Sequence, residues 1–163
     1  MAARGRMLIY LAGPLFSEAE RRFNRRLTAR LEEAGFRVFS PQRDGVKRSE
    51  PPYNQLTREA RSRAIFERDR SKIFEADVFL FVLDGRVPDE GACVELGIAH
   101  CQRVLVDRPK LLVGLRTDVR AAFPDSDLNP MLRVPLEFIA EDEGTLLQVL
   151  QTYRSQIGSD LRE

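Results

Sequence analysis

The sequence predicts a single α/β domain in which a five-stranded parallel sheet lies between two layers of helices. Short apolar runs alternate along the chain with longer segments of helical periodicity, which is the pattern of parallel strands joined by crossover helices. The run at 77–83 is apolar on both faces of a strand, as expected where helices cover each side of a sheet. The 163 residues suit one domain, and neither an internal repeat nor a linker divides them.

The first third of the chain predicts two strands and a helix. The apolar run at 7–11 is a strand that ends at a Gly-Pro pair. A helix follows from 17 to about 34, because apolar residues recur there at four-residue spacing among arginines and glutamates. Ser17 suits the N-cap of this helix and Gly35 suits the position after its last turn. A second short strand then occupies 36–39.

The middle of the chain begins with a segment that lacks any helical period. Residues 42–57 contain two adjacent prolines and a glycine, so we predict a loop, and loops of this length in compact domains usually serve a function. A helix at 58–75, the third strand at 77–83 and a loop at 84–90 follow. The next helix, at 91–106, is apolar nearly all round, and we therefore expect it to be buried.

The last third predicts the remaining two strands and a final helix. A fourth strand at 110–115 precedes a polar loop at 117–128, a fifth strand near 136–140 and an amphipathic helix from about 146. We expect residues 156–163 to form a frayed tail. Right-handed crossovers favour the strand order 2-1-3-4-5 of a flavodoxin-like three-layer sandwich. Ligands of such sheets bind outside the carboxyl ends of the strands, at the switch point between strands 1 and 3.

Composition and charge exclude several classes of function. The 26 Lys and Arg against 25 Asp and Glu leave a net charge of +1, too small for a protein that binds nucleic acid through charge. No apolar run approaches the roughly 20 residues of a membrane span. The apolar stretch near the N-terminus is too short and too interrupted for a secretory signal. We therefore expect a cytoplasmic protein that binds neither nucleic acid nor membranes.

The two cysteines agree with a reducing compartment. Cys93 and Cys101 lie on the same predicted helix, about 12 Å apart along its axis, whereas a disulfide needs Cα atoms within about 7 Å. We expect both thiols to be buried and free. With His100, the single histidine, they supply too few ligands for a typical zinc site, so we expect no metal.

The most informative segment follows the third strand. Glu95 sits near the start of the predicted helix, where the helix dipole favours an ionised carboxylate. It could be a surface residue that complements the dipole, but its surroundings, ACVELGIAHC, are too apolar for a surface face. Gly91 and Gly97 bracket it and open space at the strand ends. A partly desolvated carboxylate in a cleft is a candidate nucleophile for an acetal-like carbon.

Three weaker signals lie near the same edge of the predicted sheet. Asp89 is either the N-cap of the helix that carries Glu95 or a second acid of the cleft. Asp69 interrupts an apolar stripe, so it either forms an ion pair at the helix edge or points into the same cleft. Gly13 and Pro14 make a tight turn that either lets backbone approach a ligand or simply joins a strand to a helix.

The ordered combination of these segments resembles the nucleoside 2-deoxyribosyltransferases. No single motif is specific to this family, but the ordered combination of motifs is. The match spans roughly residues 7–155, and we place the domain at 1–163. The matching segments are Tyr10-Leu11-Ala12-Gly13-Pro14-Leu15-Phe16, Asp69, Asp89-x-Gly91-x-x-x-Glu95-Leu96-Gly97 and Asn129-Pro130-Met131.

The resemblance implies an enzyme that cleaves the N-glycosidic bond of a 2′-deoxynucleoside and passes the deoxyribosyl group to another nucleobase, without a cofactor. Glu95 matches the nucleophile that attacks C1′, and Tyr10 matches the tyrosine that orients it. Asp69 and Asp89 match acids at the base and the sugar, and one of the two would protonate the leaving base. The substrate-binding residues implied by the match are Gly13, Pro14, Phe16, Gly91, Asn129 and Met131.

Two further expectations concern recognition of the base and assembly. Asn129 and Met131 match residues that enter the active site of a neighbouring subunit, which implies a homo-oligomer with shared sites. Asp44 follows the second strand and is well placed for base recognition, although a turn-forming Asp before Gly45 is the simpler account. Some members of the family end in an aromatic residue whose carboxylate enters the site, and the polar tail here does not match that feature.

Two rival functions remain open at this stage. Relatives with this fold use water and a similar glutamate to hydrolyse 2′-deoxynucleosides or their 5′-monophosphates, and those that bind phosphate need Ser and Arg near the first loop. Here the turn at 13–16 offers two apolar side chains, with Ser17 beyond it, which favours a free 5′-hydroxyl. A non-catalytic nucleotide sensor would explain the cleft but not three acids and a tyrosine together. The range of accepted bases and the number of subunits stay open.

Overall fold

A parallel sheet of five strands forms the centre of the protein. The computed structural model describes residues 6–85, 87–106, 108–118 and 128–160. The strands are β1 (Leu8–Ala12), β2 (Arg37–Phe39), β3 (Val78–Val82), β4 (Leu111–Leu115) and β5 (Phe138–Ala140). Their order is β2-β1-β3-β4-β5 and every neighbouring pair runs parallel, which confirms the predicted topology.

Helices cover both faces of this sheet. They are α1 (Glu18–Glu33), α2 (Pro41–Asp44), α3 (Arg58–Glu75), α4 (Glu90–Val106), α5 (Pro130–Arg133) and α6 (Glu143–Asp160), and a 3₁₀ turn spans Tyr53–Gln55. Apolar side chains of α1 and α6 form one core with the sheet, and those of α3 and α4 form the other. The three-layer sandwich is therefore the architecture that the sequence predicts.

Alternate side chains of β1 enter the two cores. Ile9 and Leu11 pack in the core beneath α1 and α6, whereas Leu8, Tyr10 and Ala12 pack in the core beneath α3 and α4. All five are buried. Because successive side chains of a strand point to opposite faces, this register places the Tyr10 phenol between the sheet and the α3–α4 layer.

The turn from β1 into α1 is held by local hydrogen bonds and a glycine. Ser17 Oγ accepts a hydrogen bond from the Glu20 N–H at 3.2 Å, and Glu20 Oε2 accepts one from the Ser17 N–H at 2.7 Å, which completes a capping box. Gly13 has a φ of 148°, and a Cβ there would lie 2.9 Å from Val82 Cβ. The turn thus needs glycine because the ends of β1 and β3 approach closely.

The segment that we predicted as a loop at 42–57 contains short regular elements. Most of α2 and the 3₁₀ turn lie within it. The Ser40 N–H donates to Asp44 Oδ2 at 3.0 Å and closes the single turn of α2. Elements of about one turn leave no apolar period in the sequence, so periodicity could not reveal them.

Helix α6 is longer than predicted at both ends. Asp142 Oδ1 accepts a hydrogen bond from the Thr145 N–H at 2.8 Å, and the helix begins at Glu143 rather than near 146. Its backbone continues to Asp160, whereas we expected a frayed tail from 156. Residues 161–163 of that tail lie outside the described residues.

Helix α4 is buried on one face only, which corrects the expectation of a helix buried all round. Its buried residues are Ala92, Leu96, Ala99 and Gln102, whereas Val94 and Leu105 are 61% and 81% exposed. Cys93 is half-buried and Cys101 is exposed, so the expectation of two buried thiols is wrong for Cys101. The physical reason is that α4 lies in an outer layer, where only the side facing the sheet is covered. Among the described helices, none is long and apolar enough to span a bilayer.

Candidate active site

A hydrogen bond between β1 and α4 marks the centre of the candidate site. Tyr10 Oη donates to Glu95 Oε1 at 2.8 Å, across 85 residues of sequence. Tyr10 is fully buried, and Glu95 lies on the second turn of α4. Within the described residues, no hydrogen bond engages the second carboxylate oxygen, Oε2. One oxygen is therefore held in place while the other is free to react.

The ring of Tyr10 is clamped by aromatic rings of the two flanking strands. Phe39 of β2 stacks on it with centroids 5.5 Å apart, and Phe79 of β3 stacks on its other side at 5.7 Å. Both residues are the direct register partners of Tyr10 in the sheet. The sequence did not reveal this role, because the pairing depends on the register of neighbouring strands, which the apolar pattern does not determine. The stack fixes the hydroxyl that orients Glu95.

Burial dominates the electrostatics of the three groups at the centre. It raises the pKa of Glu95 to about 7; the Tyr10 hydrogen bond opposes that rise and the charges of Asp69 and Asp89 add to it. Burial also raises the pKa of Asp69 to about 6, against the lowering effect of Arg68. The pKa of Tyr10 is raised as well, by burial first and then by the charges of Glu95 and Asp69, so Tyr10 remains a hydrogen-bond donor.

Asp69 and Asp89 reach the site from different elements. Asp69, on α3, is close enough for its charge to act on both Tyr10 and Glu95. Asp89 precedes α4, and its Oδ1 accepts a hydrogen bond from the Ala92 N–H at 2.9 Å, which makes it the N-cap. The charge of Asp89 also raises the pKa of Glu95, so Asp89 is both the N-cap of α4 and a neighbour of Glu95. The structure thus brings Tyr10, Asp69, Asp89 and Glu95 together.

The glycine and aromatic positions of the predicted site lie around the first turn and the start of α4. Gly91 is exposed, and a Cβ there would lie 3.2 Å from Asp89 Oδ1. The Pro14 carbonyl accepts a hydrogen bond from Asn24 Nδ2 at 2.9 Å, which fastens the turn to α1. Phe16 is 74% exposed, so its ring is available to a ligand.

Asp44, Asn129 and Met131 lie apart from this group in the described contacts. Asp44 accepts hydrogen bonds from Arg43 Nε at 2.9 Å and from the Ser40 N–H, and these outweigh the effect of burial and lower its pKa. Asn129 Oδ1 accepts from the Met131 N–H at 2.9 Å as the N-cap of α5, and Met131 is 80% exposed. The segment 119–127 that precedes them, part of the predicted loop, lies outside the described residues.

Asp84 is a residue of the strand edge that the sequence analysis left without a role. It follows β3, and its Oδ1 accepts hydrogen bonds from the backbone N–H groups of Thr117 and Asp118 at 2.6 and 2.9 Å. Its Oδ2 accepts from Thr117 Oγ1 at 2.6 Å. Asp84 therefore joins the segments that leave β3 and β4. The sequence signal that could have found Asp84 was its position directly after a strand, the same kind of position that drew attention to Asp44.

A cavity of about 680 Å³ opens at the predicted switch point between β1 and β3, on the side of α1. Its lining includes Pro14, Asn24, Val82, Asp84 and Thr117. Tyr10 and Glu95 lie on the other side of this sheet edge, towards α3 and α4. The Tyr10–Glu95 pair and the cavity thus lie on different sides of the sheet edge, and the described lining of the cavity does not include the pair. No group of three or more His, Cys, Asp and Glu residues in the described parts of the chain is arranged to hold a metal ion.

Comparisons with known proteins agree with the fold and the motifs. The family model for nucleoside 2-deoxyribosyltransferase matches residues 9–150. A conserved protein from Enterococcus faecalis V583 has a TM-score of 0.72 and 22% identity, over 91% of this chain and 99% of that chain. A 2-deoxyribosyltransferase from Bacillus psychrosaccharolyticus has a TM-score of 0.65 and 23% identity, over 86% of this chain and 90% of that chain. These two likenesses show the fold. No curated protein matches the chain.

Proposed function

Because the chain belongs to the nucleoside 2-deoxyribosyltransferase family, we propose that it transfers the 2-deoxyribosyl group of a 2′-deoxynucleoside to another nucleobase. The observation that carries the proposal is the 2.8 Å hydrogen bond from the buried Tyr10 hydroxyl to Glu95. It supports a carboxylate that is held by one oxygen and presents the other to an electrophilic carbon. Residues 9–150, which the family model matches, include both members of the pair and both aspartates.

The first step forms a covalent ester on Glu95. A carboxylate oxygen of Glu95 attacks C1′ on the face opposite the base, and the C1′–N bond breaks through a transition state with oxocarbenium character. The bonding electrons leave with the base, which takes up a proton. The ionised form of Glu95 is the nucleophile, and with a pKa of about 7 a substantial fraction of it is ionised at neutral pH.

Asp69 is the better candidate for the proton donor to the leaving base. Burial raises its pKa to about 6, so it keeps its proton to higher pH than an ordinary aspartate. One oxygen of Asp89 is already engaged as the N-cap of α4, which suits a residue that holds the sugar. In the second step the nitrogen of the acceptor base attacks C1′, the bond between C1′ and the Glu95 oxygen breaks, and the Asp69 carboxylate takes up the proton that the acceptor base loses. Two inversions at C1′ restore the β configuration.

Loss of the Tyr10 hydroxyl should shift the pH dependence of transfer without unfolding the protein. Tyr10→Phe keeps the stacked ring and removes the hydrogen bond that lowers the pKa of Glu95. The pKa of Glu95 then rises, less of the nucleophile is ionised, and the rate at pH 6 falls roughly tenfold. Initial rates of base exchange across pH 5–9 measure this loss, which should be about tenfold at pH 5–6 and disappear as the pH approaches 9. Tyr53→Phe, on the 3₁₀ turn, is the control, and a loss of the same size at every pH in Tyr10→Phe would contradict the proposed role.

The proposed enzyme is a homo-oligomer, with Asn129 and Met131 completing the site of a neighbouring subunit. Exposed apolar side chains support this assembly, because large apolar groups in water mark contact surfaces. Met131 and Val134 of the α5 segment are 80% and 77% exposed. The outer face of α4 also exposes Val94 and Leu105. A cytoplasmic location, with no cofactor and with no nucleic acid or membrane among the partners, remains our expectation.

One exchange experiment separates the proposed function from its rivals. The protein is incubated with deoxyadenosine and cytosine, and the products are separated by liquid chromatography. Deoxycytidine together with adenine supports the transferase. Adenine and free deoxyribose without deoxycytidine would indicate a hydrolase, since water would then be the acceptor. Unchanged substrate that nevertheless binds in a calorimeter would indicate a non-catalytic nucleotide sensor.

The protein should distinguish 2′-deoxyribonucleosides from ribonucleosides by the substituent at the 2′ position. Glu95 is mostly buried and must approach C1′ closely, so an added 2′-hydroxyl must find a partner or clash. An unpaired or displaced hydroxyl costs about 1–3 kcal/mol, which predicts a kcat/KM for adenosine roughly 5- to 150-fold below that for deoxyadenosine. Parallel assays with the two nucleosides and a common acceptor base measure the ratio. Equal values of kcat/KM would be incompatible with a crowded C2′ subsite.

A further inference from the structure

Arg68 links the segment after β2 to the helix that carries Asp69. Its Nε donates a hydrogen bond of 2.9 Å to the backbone carbonyl of Asp44, the last residue of α2. Its guanidinium also lies over the Phe39 ring, with Cζ 5.7 Å from the centroid. A single side chain thus contacts both β2 and α2 from its position on α3.

The ring beneath Arg68 belongs to the aromatic stack of the candidate active site. Phe39 stacks on Tyr10, and the Tyr10 hydroxyl donates to Glu95. A continuous row of contacts therefore runs from the Arg68 guanidinium through two rings to the carboxylate. Planar guanidinium groups suit this position, since they stack on aromatic faces and hydrogen-bond at the same time.

Arg68 also lies beside Asp69 in sequence. The titratable and charged groups that act together here are Tyr10 from β1, Asp69 and Arg68 from α3, and Glu95 from α4 with Asp89 just before that helix. Among the described residues, Arg68 is the basic group whose charge opposes the effect of burial on the pKa of Asp69. Arg70, on the other side of Asp69, instead pairs with Glu67 and lies over the Phe66 ring.

We propose that Arg68 is a positioning residue of the active site, which fastens the β2–α2 segment to α3, supports the Phe39–Tyr10 stack and sets the charge environment of Asp69. The inference rests on the proposed function, because the segment it fastens is the one expected to meet the nucleobase. It adds a residue that none of the matching motifs contains. Arg68 acts through its neighbours and takes no part in bond making.

The test compares Arg68→Gln with the control Arg70→Gln on the same helix. Arg68→Gln removes the positive charge beside Asp69, so the pKa of Asp69 rises and the alkaline limb of base exchange moves to higher pH. It also releases α2, and a lost hydrogen bond of this kind predicts a KM for the acceptor base roughly two- to tenfold higher, with a smaller change in kcat. Arg70→Gln should leave both the pH limb and KM at wild-type values.

Arg68→Lys separates charge from stacking. Lysine keeps the positive charge but lacks the planar group, so it should return the alkaline limb to its wild-type position while KM stays raised. If Arg68→Gln and Arg70→Gln behave alike in pH profile and KM, the proposal is overturned. A loss of activity in Arg68→Gln that is the same at every pH, with KM unchanged, would overturn it as well.

A titration that needs no turnover keeps this inference independent of the proposed function. The carboxyl carbon of Asp69 is followed by ¹³C NMR from pH 4 to 8 in the wild type, Arg68→Gln and Arg70→Gln. A shift of the Asp69 titration to higher pH in Arg68→Gln alone supports the charge role of Arg68, even if the protein transfers no deoxyribose. Identical titration curves in all three proteins would exclude that role.

Discussion

Replacing Glu95 by glutamine should reduce deoxyribosyl transfer by at least about three orders of magnitude, because the amide cannot form the ester. Glutamine keeps an oxygen that accepts the Tyr10 hydrogen bond, so the local geometry is retained. Steady-state base exchange measures the loss. The wild type, incubated with a 2′-deoxynucleoside but without an acceptor base, should show an adduct of one deoxyribosyl group by intact-mass spectrometry. Glu95→Gln under the same conditions should show none. Turnover close to that of the wild type in Glu95→Gln would refute the assignment of the nucleophile.

The same substitution should stabilise the fold at neutral and higher pH. Burial raises the pKa of Glu95 to about 7 in the folded state, above its ordinary value of 4.5. The folded state therefore binds this proton more tightly than the unfolded state, and the resulting stability is present at low pH and lost as the pH rises through 7. Removing the charge should increase the free energy of unfolding at pH 8 by up to about 3 kcal/mol.

Urea unfolding at pH 4, 6 and 8 tests whether the buried charge of Glu95 lowers the free energy of unfolding. The gain of Glu95→Gln over the wild type should be nearly absent at pH 4, reach more than half of its full size at pH 6 and be largest at pH 8. Glu90→Gln is the matched control, since Glu90 is exposed in the first turn of the same helix. A gain of equal size at pH 4 and pH 8 would show that the buried charge of Glu95 is not its source.

Two inactive variants should regain activity when their subunits are mixed in one oligomer, if active sites are shared between subunits. In the proposed assembly Glu95 comes from one chain and Asn129 from its neighbour, so mixed Glu95→Ala and Asn129→Ala subunits form some sites with both residues intact. For random mixing of dimers, half of the assemblies are mixed and each contains one intact site, which predicts about a quarter of the wild-type activity. Co-refolding of equal amounts, followed by the base-exchange assay, measures this recovery.

The structure requires a control for the role of Asn129 as a cap. Asn129 Oδ1 holds the Met131 N–H at the start of α5, so alanine removes the cap together with any contact to a partner. Asn129→Asp keeps the cap and removes the amide donor, and it should be complemented in the same way. Failure of both pairs to recover activity, or a fully active monomer by sedimentation velocity, would rule out shared sites.

The fold could be predicted from local patterns, because these patterns depend on neighbours along the chain. The alternation of apolar runs and helical periods predicted the five strands, and the right-handed crossover rule favoured their order. Ser17 and Gly35 marked the ends of α1. The apolar surroundings of Glu95 likewise pointed to a buried acid. One-turn elements such as α2 were not predicted, because a helix of one turn is too short to show a repeating pattern of apolar residues.

Only the tertiary structure decided which groups meet. The contact between Tyr10 and Glu95, which the sequence indicated only through a family resemblance, joins residues 85 positions apart. The stacking of Phe39 and Phe79 on Tyr10 exists because β2 and β3 flank β1 in register. Layering left one face of α4 exposed although its sequence is apolar nearly all round. A hydrophobic pattern specifies which side chains are buried, whereas strand order and register specify their partners. The reactivity of Glu95 depends on those partners, through burial, a hydrogen bond and neighbouring charge.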